Sequence, residues 1–118
     1  MEKVVIVDGC RTAVGSFGGT LKPLSAAELA VAVMKGSLVR TGIGGELVDE
    51  ICFGQCRQNS DHSNIARYAA LAAGIPERAA GTTVMCACAS GMMAMRDAAN
   101  TIAVGQNEGI TELILREI

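Results

Sequence analysis

The residues of this chain best suited to chemistry are two cysteines within VMCACASGMMAM, positions 84–95. Cys88 lies at a predicted junction between a β-branched strand and a helix rich in alanine and methionine. A thiolate at that junction faces the unpaired amides and the positive end of the helix dipole, which favour a nucleophilic cysteine. Its own N–H is placed to donate to an oxyanion on an attacked carbonyl. A plain buried cysteine is the alternative that position alone leaves open.

Five cysteines and a single histidine also raise the question of a metal site. Cys52 and Cys56 are spaced C-x3-C, and Cys86 and Cys88 are spaced C-x-C, whereas zinc sites use paired C-x2-C. Alternate residues of a strand share a face, so Cys86 would point the same way as Thr82 and Val84, and it is predicted to be a core thiol. His62 stands in a polar loop, where an exposed or helix-capping role is the default. We expect no metal and no bound cofactor.

The elements that would position Cys88 alternate between strands and helices. Strands are predicted over 3–9 (KVVIVDG), 48–53 and 80–87, and helices over 25–41, 63–73 and 90–104. The last ten residues, GITELILREI, suit a strand or a short helix. The glycine-rich GSFGG matches no phosphate-binding motif and predicts a turn. This alternation predicts an α/β fold with a mainly parallel sheet covered by helices.

Two of the predicted helices carry further local signals. Ser25 and Glu28 have the spacing of a capping box at the start of the first helix, and Gly42 is a natural stop after it. Its predicted buried face holds mainly aliphatic side chains: Leu29, Ala30, Val33, Met34, Ser37 and Leu38. The third helix is poor in charge all round, so we expect it to be buried on most sides, Met92 and Met95 included.

Bulk composition restricts the class of protein. The 118 residues fit one domain, 1–118, with a core of small and aliphatic side chains, because only 3% of residues are aromatic. A net charge of −2 gives no electrostatic footprint for nucleic acid or an anionic membrane surface. The number of cysteines is odd, and the N-terminal residues do not have the pattern of a secretory signal. Together these features indicate reduced thiols and a cytoplasmic protein.

Several spaced segments, taken together, resemble the beginning of thiolases, the acetyl-CoA acetyltransferases and 3-ketoacyl-CoA thiolases. In chain order they are VVIVDGCRTAVGSFGGTLKPLSAAELA, VDEICFGQCRQ, NIARYAALAAGIP and CASGMMAM. The resemblance runs from about residue 4 to residue 108. Agreement of several motifs in order is more specific than any one short match.

The resemblance implies the N-terminal part of a thiolase-like layered fold, with Cys88 as the nucleophile that the substrate acylates. A second acyl-CoA, or free coenzyme A, would then complete Claisen condensation or thiolysis by a ping-pong scheme. Acyl-CoA thioesters would be the substrates, in fatty acid metabolism. The strand before Cys88 would pair across a homodimer interface, and Arg11 and Thr12 would have a structural role.

The chain also departs from the thiolase pattern. Met85 and Cys86 stand where family members usually have asparagine and a basic or apolar residue. The later family motifs GHP, NEAF and CxGGG are absent from the 118 residues, and the last ten residues match poorly. We expect an incomplete N-terminal domain that lacks the C-terminal half and is inactive alone. A thiolase for longer 3-ketoacyl chains, or a non-catalytic thiolase-like module for dimerisation, are the alternatives.

Overall fold

The computed structural model describes residues 1–106 and the backbone of residues 112–116. Three α-helices lie in the described residues: α1 (Ala26–Thr41), α2 (Ile65–Ala72) and α3 (Ser90–Ala103). The described strands are β1 (Glu50–Gly54), β2 (Ala80–Val84) and β3 (Glu112–Arg116), and a short 3-10 helix spans Gly45–Leu47. No helix of these residues is long and apolar enough to cross a membrane.

The three strands form one parallel sheet in the order β2-β1-β3. This confirms the predicted parallel α/β architecture and assigns strand structure to part of the last ten residues. The central strand β1 is buried on both faces, as parallel sheets require when helices cover both sides. Ile51 and Phe53 point into a core formed with α1 and α2, whereas Cys52 points the other way and packs against Ala94 and Ala98 of α3.

Helix α1 begins and ends where the sequence predicts. The Ser25 hydroxyl accepts from the Glu28 N–H, and the Glu28 carboxylate accepts from the Ser25 N–H at 2.7 Å, which completes the capping box. The Ser25 hydroxyl also donates to the Glu28 carboxylate, at 2.9 Å. Hydrogen bonds from the Ser25 backbone N–H and then from this hydroxyl hold the pKa of Glu28 below its ordinary value. Gly42 ends the helix in the left-handed conformation, at φ 67°. Of the predicted inner face, Ala30 and Met34 are fully buried.

The predicted strand over residues 3–9 is wrong. These residues have no strand structure, and Val5, Ile6 and Val7 are each more than 60% exposed. Pairing with β1 is closed to them, because β2 occupies one edge of β1 and β3 occupies the other. The segment is instead held at its ends, by a hydrogen bond from the Glu2 N–H to the Ala103 carbonyl and by an Asp8–Arg40 ion pair at 3.1 Å.

Two expectations around α3 also need correction. Strand β2 ends at Val84, so Cys86 lies beyond it and is exposed, not a core thiol. Helix α3 buries only one stripe of small residues, among them Ala94 and Ala98, while Met92 is 69% and Met95 is 44% exposed. The small side chains let the helix lie close to β1, which turns the larger methionines outward.

Candidate active site

Cys88 is exposed on a tight turn two residues before the first residue of α3. The turn is closed by two backbone hydrogen bonds, from the Ala89 N–H to the Cys86 carbonyl at 3.0 Å and from the Ser90 N–H to the Ala87 carbonyl at 3.2 Å. Neither bond uses the N–H of Cys88. The strand-to-helix position expected for this cysteine is therefore the observed one, and its thiol is open to solvent.

The residue before Cys88 has an unusual backbone conformation. Ala87 has φ 45°, and no other non-glycine residue of the described chain has a positive φ. L-residues other than glycine, asparagine and aspartate enter this region rarely, because Cβ crowds the backbone. Such a conformation persists only where surrounding contacts enforce it, and it occurs often at functional sites.

A buried hydroxyl supplies those contacts. Ser90 is 3% exposed, and its Oγ accepts a hydrogen bond from the Cys86 N–H at 2.8 Å. The same Oγ lies 2.6 Å from the Ala87 carbonyl oxygen and 3.2 Å from the Gln55 carbonyl oxygen, and its single proton is shared between these two acceptors. One side chain thus ties both sides of the turn to the end of β1.

The end of β1 lies directly beneath the start of α3. A Cβ placed on Gly54 would lie 2.5 Å from the Ser90 carbonyl carbon and 2.6 Å from Gly91 Cα, separations that real Cβ atoms essentially never show. Glycine at position 54 is therefore required for the backbones to approach so closely. The Gln55 N–H extends the ladder by donating to the Val84 carbonyl at 2.9 Å.

The other candidate ligands and bases are not gathered around Cys88. Cys52 is buried inside β1, and Cys56 is exposed just after it. The His62 ring stacks on Tyr68 of α2, with ring centroids 3.7 Å apart. Within the described residues, no three histidine, cysteine, aspartate or glutamate side chains are grouped closely enough to hold a metal ion.

Arg11 and Thr12 lie in a separate part of the molecule. They line a shallow cleft against α1, together with Gly36 and Arg40, and the Arg11 guanidinium donates to the Thr12 carbonyl at 3.2 Å. The cleft does not include Cys88. Nearby, hydrogen bonds from Arg40 and then from the Gly9 N–H hold the pKa of Asp8 below its ordinary value.

Sequence reasoning missed the two residues that support the turn, Ser90 and Gly54. The signals were present: a glycine ending a strand, and a serine two residues after the cysteine, where a helix begins. Neither signal shows that two residues 36 positions apart meet, because the contact between Gly54 and the Ser90–Gly91 backbone is made by the fold.

The fold and the site define a protein of the α/β class. Its exposed cysteine is held on a strained turn just before a helix that buries a stripe of small residues. The family model described as "Thiolase, N-terminal domain" matches residues 4–111. The chain belongs to the thiolase family, and the match covers the N-terminal domain of that family.

Individual relatives agree with this assignment. The chain is 42% identical over 104 residues to an acetyl-CoA acetyltransferase from Allochromatium vinosum, covering 88% of this chain and 26% of that protein. It is 42% identical over 96 residues to an acetyl-CoA acetyltransferase sequence from Clostridioides difficile, covering 81% of this chain and 90% of that one. The solved structure of the Bacillus anthracis acetyl-CoA acetyltransferase superposes with a TM-score of 0.84 at 43% identity, over 88% of this chain and 26% of that chain. The chain thus spans about a quarter of the full-length relatives it matches.

Proposed function

We propose that this chain provides the nucleophilic cysteine, Cys88, of an acetyl-CoA C-acetyltransferase. The observation that carries the proposal is the exposed thiol of Cys88 on a fixed turn at the start of α3. Membership of the thiolase family and the names of the relatives, acetyl-CoA acetyltransferases, supply the substrate class.

In the proposed first step, the Cys88 sulfur attacks the thioester carbonyl carbon of an acyl-CoA. The new sulfur–carbon bond forms as the bond to the coenzyme A sulfur breaks, and coenzyme A leaves as the thiol after taking up the proton lost by Cys88. The Cys88 N–H, which the turn bonds leave unused, is suited to stabilise the transient oxyanion. The acyl group then passes to a second acyl-CoA in condensation or to coenzyme A in thiolysis.

Turnover needs acid and base groups that we propose lie outside these 118 residues. A positioned general base typically raises a rate by about 10²- to 10⁴-fold. A helix dipole contributes only roughly 0.3–1 kcal/mol near an exposed charge, which is less than the free energy of a single tenfold change in rate. The one histidine of the chain, His62, is stacked on Tyr68. We expect the 118-residue chain to show no acetoacetyl-CoA thiolysis alone and to contribute to activity when the remaining thiolase segments are supplied.

Single acylation is the direct test of this proposal. The chain, supplied with the remaining thiolase segments, is mixed with acetyl-CoA at neutral pH, quenched in acid and digested, and the acetylated peptides are mapped by mass spectrometry. Acetyl should appear on Cys88 and disappear in Cys88→Ala, while the control Cys56→Ala, which removes another exposed thiol, should leave it unchanged. Acetylation that is spread equally over the exposed cysteines would contradict a dedicated nucleophile.

A thiolase for longer 3-ketoacyl chains is the second candidate. The relatives include a protein named beta-ketothiolase BktB, from Cupriavidus necator, which is 37% identical over 108 residues and whose name is not restricted to acetyl groups. Acylation by acetyl-CoA and by a longer acyl-CoA, compared in a protein that contains all thiolase segments, separates the two candidates. If Cys88 is acetylated at least about ten times faster than it takes up the longer acyl group, the acetyltransferase assignment is supported. A tenfold ratio of rates corresponds to about 1.4 kcal/mol of transition-state binding.

We further propose that the chain forms a homodimer or higher oligomer in the cytoplasm and acts in fatty acid metabolism. Support for the dimer comes from β2, which lies at the edge of the described sheet and has a strand neighbour only in β1. Such an edge favours pairing with another chain. Sedimentation velocity should show a dimer that Met85→Lys weakens, because Met85 is 63% exposed just after β2. The control Val39→Lys, at an exposed position of α1, should not weaken it.

A further inference from the structure

The hydroxyl of Ser90 has more partners than helix capping requires. Its Oγ lies within hydrogen-bond distance of three backbone groups, the Cys86 N–H and the Ala87 and Gln55 carbonyls, and the side chain is almost fully buried. All three groups belong either to the turn that carries Cys88 or to the strand end beneath it. The hydroxyl therefore fixes the turn relative to the sheet.

The contacts of the Ser90 hydroxyl oppose relaxation of the strained backbone at Ala87. Without enforcing contacts, an alanine at φ 45° relaxes toward negative φ, where its Cβ is not crowded. That rotation would redirect the chain immediately before Cys88 and move its sulfur away from the start of α3. The short 2.6 Å separation between Ser90 Oγ and the Ala87 carbonyl opposes the rotation directly.

We propose that Ser90 is a positioning residue for Cys88, whose hydroxyl holds Ala87 in the left-handed conformation and so keeps the nucleophilic sulfur at the amide end of α3. This inference rests on the proposed function for its biological meaning, but not for its test. Cys88 alkylation by iodoacetamide reports the position of the sulfur and needs no coenzyme A substrate.

The test is the ratio of Cys88 to Cys56 alkylation within one molecule, measured by brief iodoacetamide treatment and peptide mapping. In Ser90→Ala the ratio should fall by about two- to fivefold, the size of the effect of a helix N-terminus on a nearby anion. Adding Ala87→Gly to Ser90→Ala should restore the ratio, because glycine adopts positive φ without steric cost. A purely structural serine would not be rescued by a backbone change at position 87.

Two controls make the result decisive. Thr101→Val removes a hydroxyl that donates to a backbone carbonyl in the last turn of the same helix, at 3.0 Å, and should leave the ratio unchanged. Labelling of buried Cys52 reports unfolding. An unchanged ratio in Ser90→Ala, failure of the Ala87→Gly rescue, or labelling of Cys52 in Ser90→Ala would each overturn the proposal. Absence of Cys88 acetylation by acetyl-CoA, with the ratio behaving as expected, would instead reject the proposed function alone.

Discussion

Replacing Gly54 with alanine should separate the candidate site from the sheet that supports it. The added Cβ would lie 2.6 Å or less from three backbone atoms of Ser90 and Gly91, and ordinary contact begins at 3.4 Å. The start of α3 must therefore recede by about 1 Å, and backbone yields less readily than a flexible side chain. Overpacking of this kind costs about 1–3 kcal/mol, and loss of the Ser90–Gln55 hydrogen bond adds about 0.5–1.5 kcal/mol. We expect Gly54→Ala to lower the free energy of unfolding by about 1.5–4.5 kcal/mol.

Urea unfolding followed by circular dichroism measures this loss, and iodoacetamide labelling of Cys88 measures the displacement. Gly36→Ala is the matched control, because Gly36 lies within α1 and a Cβ there would meet only the Cys10 sulfur, at an ordinary 3.8 Å. That substitution should raise the free energy of unfolding by about 0.5–1 kcal/mol through helix propensity. Equal unfolding midpoints for Gly54→Ala and the wild type would refute the close approach of β1 and α3.

Further predictions concern the start of α1. Ser25→Ala removes the hydroxyl that caps the helix and should destabilise the protein by about 1 kcal/mol in urea unfolding, while Ser16→Ala in the preceding turn serves as a control for removing a hydroxyl. Glu28 has its folded-state pKa lowered from 4.5 by the Ser25 N–H and hydroxyl, so its contribution to stability is full above pH 4.5 and is lost as pH falls through the lower folded value. The stability difference between the wild type and Glu28→Gln should thus be larger at about pH 6 than at about pH 3, and a difference independent of pH would contradict the capping box.

Features encoded by near neighbours in the sequence could be predicted from it. The Ser25–Glu28 box and Gly42 set the limits of α1, since a cap depends on residues within one helical turn. The same holds for the end of α2, where Gly74 has φ 87°, and for the position of Cys88 before a helix. The alternation of strands with helices was sufficient to predict a parallel sheet.

The remaining features of the fold and the site depend on contacts between segments that are distant in the sequence. Residues 3–9 and 112–116 are both β-branched or aliphatic enough for a strand, yet only the second pairs with β1, because that edge accepts one neighbour. Which face of α3 is buried depended on how closely its alanines approach β1, and periodicity alone favoured the methionines. The contacts of Ser90 and Gly54 join positions 36 residues apart, so they exist only once the tertiary structure has formed. Residues close in the sequence determined that a cysteine lies just before a helix. Long-range packing determined the strained backbone conformation beside it and the buried hydroxyl that maintains that conformation.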